Sequence, residues 1–150
     1  MKWLRCVDGV YIICVEGSLD STRASFDMST PGVETHIDAI FVCRWQTDDE
    51  DDRIEFTHAW RQSAPVELDQ WSRSWPVSFR GRVDASGPLE LFTLELEPMG
   101  VLTPRWAGGP VEYQLFMRLA RRVDVGEPRE QHMLVLWPSN PPIVWFEREE

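Results

Sequence analysis

The sequence is short of basic residues: 15 Lys and Arg stand against 25 Asp and Glu, for a formal net charge of −10. Lysine is almost missing, with Lys2 the sole example. Phosphate neutralisation needs clustered cations, so this balance argues against nucleic acid as a partner and equally against an anionic membrane surface. Long hydrophobic runs are missing too. No stretch approaches the ~18 consecutive apolar residues that span a bilayer. Lys2, Arg5 and Asp8 interrupt the start too early for a secretory leader, so the expected location is the cytoplasm. Cysteine is limited to Cys6, Cys14 and Cys43, an odd number with no CxxC spacing. That excludes a disulfide framework and a thiolate zinc site, and leaves free thiols packed as small apolar residues.

Catalytic signatures are equally scarce. There is no GxSxG nucleophile elbow and no GxxxxGK[ST] phosphate loop. Gly108-Gly109 precedes Pro110 and a strand pattern, not a helix, and reads as a turn. Of the three histidines, His36 would share a strand face with Asp38, but two ligands at that spacing lack a third. Cys43 with His58 would make a nucleophile pair if their strands were neighbours, yet Cys43 sits within an apolar run that argues against a thiolate. The expectation is a protein with no metal, no cofactor and no enzymatic activity.

What the sequence does contain is strand pattern. At 150 residues and 43% hydrophobic, the chain fits one globular domain over residues 1–150, large enough to bury its own core. Residues 10–15 form a short β-branched run, and residues 24–28 are a second candidate strand. Residues 37–45 are apolar enough for a strand buried on both faces. Ile54, Phe56, His58 and Trp60 alternate with smaller or charged residues, which is strand periodicity. The runs on either side of residues 47–52 then read as a hairpin with a charged tip. Trp75, Val77, Phe79, Gly81 and Val83 alternate in the same way, and a turn at residues 84–88 predicts a second hairpin with residues 89–96. Residues 98–110 hold three prolines and three glycines and read as a loop. Strands at residues 111–119, 131–137 and 143–146 complete the set. The one helix candidate is residues 66–74, where Leu68 and Trp71 are spaced to share a face. The predicted fold is all-β, an antiparallel β-sandwich or flattened barrel of about eight or nine short strands.

Two features stand out as candidate sites. The first is the run Asp48, Asp49, Glu50, Asp51 and Asp52. It reads as a solvated tip, as a calcium loop lacking the spaced ligands and turn glycine of an EF-hand, or as a surface that docks a basic protein. In the third reading Trp45, His58 and Trp60 provide apolar anchors near it. The second is the tryptophan content, eight residues in all. These serve either as core filling or, around Trp71, Trp75 and Trp106, as an exposed platform for a carbohydrate or other small molecule.

The C-terminal half also carries a family pattern: Pro76-Val77-Ser78-Phe79, then residues 109–115 with Gly109 and Tyr113, then residues 130–138 closing on Trp137-Pro138. In order and character these segments resemble the ComJ-like family of small bacterial β proteins, which is similar in turn to immunity proteins encoded beside toxins. The resemblance implies a compact β domain that inhibits a nuclease partner by binding it and has no active site of its own. It brings no functional residues with it, so the interface expected at Asp48–Asp52 rests on charge alone.

Overall fold

The computed structural model of the chain describes residues 2–6, 9–15, 32–35, 39–43, 53–61, 63–85, 88–93, 97–102, 109–119 and 130–139. Among them lie strands β1 (Lys2–Arg5), β2 (Val10–Val15), β3 (Gly32–Thr35), β4 (Ala39–Cys43) and β5 (Arg53–Trp60), then helix α1 (Leu68–Ser74). Strands β6 (Val77–Ala85), β7 (Leu89–Thr93), β8 (Pro98–Val101), β9 (Gly109–Leu119) and β10 (Glu130–Pro138) follow. They form two five-stranded sheets, here called A (order β1-β5-β10-β9-β6) and B (order β3-β4-β2-β7-β8). Neither sheet closes on itself, so of the two predicted forms the sandwich is the one adopted. No helix among the described residues is long and apolar enough to cross a membrane.

Side-chain alternation builds the core. Tyr11, Ile13 and Val15 of β2 and Ile40 and Val42 of β4 face inward from sheet B. Ile54 and Phe56 of β5, Tyr113, Leu115 and Met117 of β9, and Leu134 and Leu136 of β10 meet them from sheet A. The opposite faces of the central strands are buried as well. Ile12, Cys14, Ala39 and Phe41 form a second cluster on the outside of sheet B. Phe116, Val135 and Trp137 form a third on the outside of sheet A, beneath Leu68 of α1. Helix α1 has only seven residues and no side-chain cap at Glu67. So short a helix is not stable in isolation; Leu68, Trp71 and Trp75 hold it by packing on that cluster.

Both predicted hairpins are corrected by the pairing. Strand β4 belongs to sheet B and pairs with β2 and β3, whereas β5 belongs to sheet A and pairs with β1 and β10. Likewise β6 pairs with β9, while β7 pairs with β2 and β8. At both places the chain changes sheet instead of folding back. Alternation and turn residues mark where strands begin and end, but corner connections of a sandwich carry the same signals. Among the described residues the antiparallel pattern has one exception, the parallel β5–β10 ladder that places Gln131 opposite Glu55 and Leu136 opposite Trp60. The predicted loop over residues 98–110 contains β8, an edge strand whose first residue is Pro98, a position where a missing N–H is tolerated. The segments 24–28 and 143–146 lie outside the described residues.

One close approach is specific to glycine. Gly81 faces Tyr113 across the β6–β9 ladder, and a Cβ there would lie 2.6 Å from the phenol oxygen and 2.8 Å from Cζ. Tyr113 is fully buried and hydrogen-bonded to Thr35 of the facing sheet, so its ring cannot swing aside. Gly81→Ala is therefore expected to lower stability by about 1–3 kcal/mol, the usual cost of overpacking. Urea denaturation would read this as a lower midpoint with an unchanged slope.

Candidate functional site

Two groups of polar side chains stand out among the described residues, one between the sheets and one on the outside of sheet A. The inner group centres on His132, which shares the inward face of β10 with Glu130, Leu134 and Leu136. Its Nδ1 lies 2.6 Å from the Tyr11 hydroxyl on the opposing sheet, and its Nε2 bonds Glu130 Oε2. All three side chains are at most 1% exposed. One tautomer satisfies all three: the phenol donates to Nδ1 and the Nε2–H donates to the carboxylate. Burial pushes the Tyr11 phenol well above its ordinary 10.0, and the neighbouring Cys6 and Glu130 add to the shift. A similar tie joins Thr35 of sheet B to Tyr113 of sheet A. Burial raises the Tyr113 phenol too, opposed in part by its bond to Thr35.

This Tyr–His–Glu arrangement has the composition of a proton relay, but its side chains are closed off from solvent by the two sheets. Its role is to fix one sheet against the other. The residue pattern contained the signal: Glu130 and His132 are two apart and in phase with Leu134 and Leu136, which marks two polar residues on a core face. Placing the strand start at residue 131 separated Glu130 from that pattern.

His58 and Trp60 make a third inter-sheet tie. His58 Nε2 and Trp60 Nε1 lie 3.0 and 3.1 Å from the carbonyl oxygen of Leu102, just past β8. The exposed His58 ring stacks on Phe56, and Trp60 packs against the core. Asp48, Asp49, Glu50, Asp51, Asp52 and Trp45 lie outside the described residues. The acidic run leads into β5 at Arg53, whereas Trp60 is at the far end of this eight-residue strand, roughly 23 Å away at ~3.3 Å per residue.

The outer group lies in one row across three strands. Glu55, Gln131 and Arg118 stand opposite one another on β5, β10 and β9. Arg118 Nε donates to Gln131 Oε1 at 2.7 Å, and Gln131 Nε2 donates to Glu55 Oε2 at 2.9 Å. The Arg118 guanidinium lies over the Trp75 ring at 4.0 Å from its centroid. Trp71 and Trp75 in turn pack against Phe116, with ring centroids 6.1 and 6.3 Å away. The structure thus brings Trp71 and Trp75 together, and Arg118 covers one face of Trp75. Trp106 lies outside the described residues. Nearby, Arg80 stands 5.3 Å over the Trp137 ring, whose Nε1–H donates to Glu112 at 3.2 Å.

No group of three His, Cys, Asp or Glu among the described residues is placed to hold a metal. His36 and Asp38 lie outside them. Cys6 and Cys14 are buried and form no disulfide. The Cys43–His58 pairing loses its basis, because β4 and β5 are not neighbours in either sheet.

No family model and no curated protein matches the sequence. Among solved structures, the chain matches ComJ from Bacillus subtilis, an inhibitor of the DNA-degrading activity of NucA. The superposition has a TM-score of 0.60 and covers 91% of this chain and 93% of that one, at 9% sequence identity. The chain has the fold of ComJ. The ComJ-like pattern read from the C-terminal segments therefore holds as a statement of architecture. The match also extends beyond that half: nearly the whole chain follows the ComJ path.

Truncating the inner network gives a direct test of its role. Tyr11→Phe leaves His132 Nδ1 buried without a donor, at an expected cost of about 1–3 kcal/mol near neutral pH. Because the folded-state pKa of Tyr11 lies above the unfolded value of 10.0, its contribution is complete below that pH and is lost as pH rises above it. The stability gap between wild type and Tyr11→Phe should narrow above about pH 10 in urea titrations; a constant gap would assign the loss to packing.

Proposed function

We propose that this protein is a non-enzymatic inhibitor of the immunity type, which binds a basic nuclease or toxin in the cytoplasm and blocks its active cleft. The observation that carries the reading is the full-length likeness to ComJ, an inhibitor of a DNA-degrading activity. The net charge of −10 supports it, since a cleft built for nucleic acid is basic and an acidic surface complements it. In this mechanism Asp48, Asp49, Glu50, Asp51 and Asp52 take the positions of substrate phosphates. Trp45, His58 and Trp60 supply the apolar contacts that exclude water from such an interface. Opposite charge steers the encounter, so association is fast at low salt and weakens as salt rises.

The test is affinity capture from native cells at low salt, followed by a nuclease assay on whatever elutes with a salt step. The expected outcome is a basic protein with DNA- or RNA-degrading activity that stoichiometric addition of this chain suppresses. Converting Asp48, Asp49, Glu50, Asp51 and Asp52 to Asn and Gln should abolish both capture and suppression. A captured protein without nuclease or toxin activity, or one indifferent to salt and to those changes, would overturn the reading.

A further inference from the structure

We infer that the pocket beside α1 on the outer face of sheet A is a carboxylate-binding site, in which Arg118 receives the ligand. This does not depend on the inhibitor reading. Glu55, Thr57, Trp75, Arg118 and Gln131 are among the residues lining the pocket, which has a volume of about 90 Å³. That is well below the ~300–1,000 Å³ of a site for a drug-sized ligand or cofactor, so it suits a single functional group.

The geometry around Arg118 is that of a prepared fork. Trp75 supports the guanidinium plane from one side at 4.0 Å, and Gln131 fixes the Nε edge at 2.7 Å. Gln131 is itself fixed by its 2.9 Å bond to Glu55. The Glu55 carboxylate would be the natural partner for the arginine, but it stands two strands away, with Gln131 between them. Neighbouring strands are ~4.8 Å apart, so the two backbones are separated by roughly 10 Å. Among the described residues neither has a further polar or ionic partner, and with its Nε edge held by Gln131, Arg118 would receive a ligand through its two terminal nitrogens. Two parallel N–H groups on a planar, immobilised fork match the two oxygens of a carboxylate. A phosphate dianion fits less well, because Glu55 places a like charge on the same pocket. Thr57 and the second oxygen of Glu55 can accept from a donor carried by the acid.

The carboxylate has two possible sources, a free small acid or an acidic side chain on a protein, and one experiment separates them. In the ¹⁵N-labelled full-length chain, the Arg118 Nε–Hε and Trp75 indole resonances are followed during titration with sodium acetate or with the blocked tripeptide acetyl-Gly-Glu-Gly-amide. Sodium chloride at equal ionic strength is the control. A saturable shift with the carboxylates and none with chloride is expected. Tenfold tighter binding of the peptide assigns the site to a protein side chain, and equal or tighter binding of acetate assigns it to a free acid. Arg118→Lys keeps the charge but not the fork, and should weaken binding at the Trp75 resonance by about tenfold or more. Glu55→Gln removes the competing charge, and should bind acetate at least as tightly as wild type. Failure of both probes to saturate, an equal response to chloride, unchanged binding by Arg118→Lys, or a tenfold loss in Glu55→Gln would each overturn the proposal.

Discussion

The alignment of the two sheets is the constraint on which the rest of this structure depends. Apolar burial draws the inner faces together but has no direction of its own, so it does not fix how one sheet lies across the other. The bond from Tyr11 to His132, with Glu130 behind it, sets that relation at the centre of the sandwich. Thr35 with Tyr113, and His58 and Trp60 with the Leu102 carbonyl, set it at two further places. Buried polar groups are tolerated only when paired. A shift of one sheet would strand the buried Tyr11 phenol and the Nδ1 of His132, which makes the observed alignment far cheaper than its neighbours.

With the interior committed to alignment, chemistry with an outside partner is left to the surfaces. Sheet A is divided on its outer face. One part lies under α1 and is apolar, with Phe116, Val135 and Trp137 beneath Leu68. The other is the polar row of Glu55, Gln131 and Arg118, with Trp75 at the boundary. A likeness to ComJ at 9% identity carries the architecture, while function resides in sites placed upon it. The arginine row and the acidic run are proposed here as two such sites, opposite in the charge they would attract.

Much of the fold was legible because burial on a sandwich imposes period two. Residues 54–60, 77–83 and 111–119 announced their strands in this way, residues 10–15 did so as a β-branched run buried on both faces, and Leu68 with Trp71 announced the helix. Partner choice was not legible. Local turn residues look alike whether a chain reverses within a sheet or crosses to the facing one, so β4 with β5, and β6 with β7, were read as hairpins. The parallel β5–β10 pair joins segments far apart in sequence and leaves no local trace at all. The polar row was invisible for the same reason, since Glu55, Arg118 and Gln131 come from three separate strands and each reads alone as an ordinary surface residue. His132 and Glu130 were readable in principle, through their phase with Leu134 and Leu136.

The strand order also sets a timetable. Every strand of sheet B lies within the first 101 residues, and each pairs with another from that same stretch. Sheet A cannot form its centre until β9 and β10 exist, because β5 and β6 meet only through them. On a ribosome the N-terminal layer can assemble first and receive the inward face of β5, while the edge of β5 that pairs with β10 waits for a partner not yet made. Long-range pairings of this kind carry a large loop-closure cost and slow the folding of β proteins toward milliseconds to seconds. During that interval the unpaired edge of β5 is a template for a chaperone, or for another nascent copy, to find.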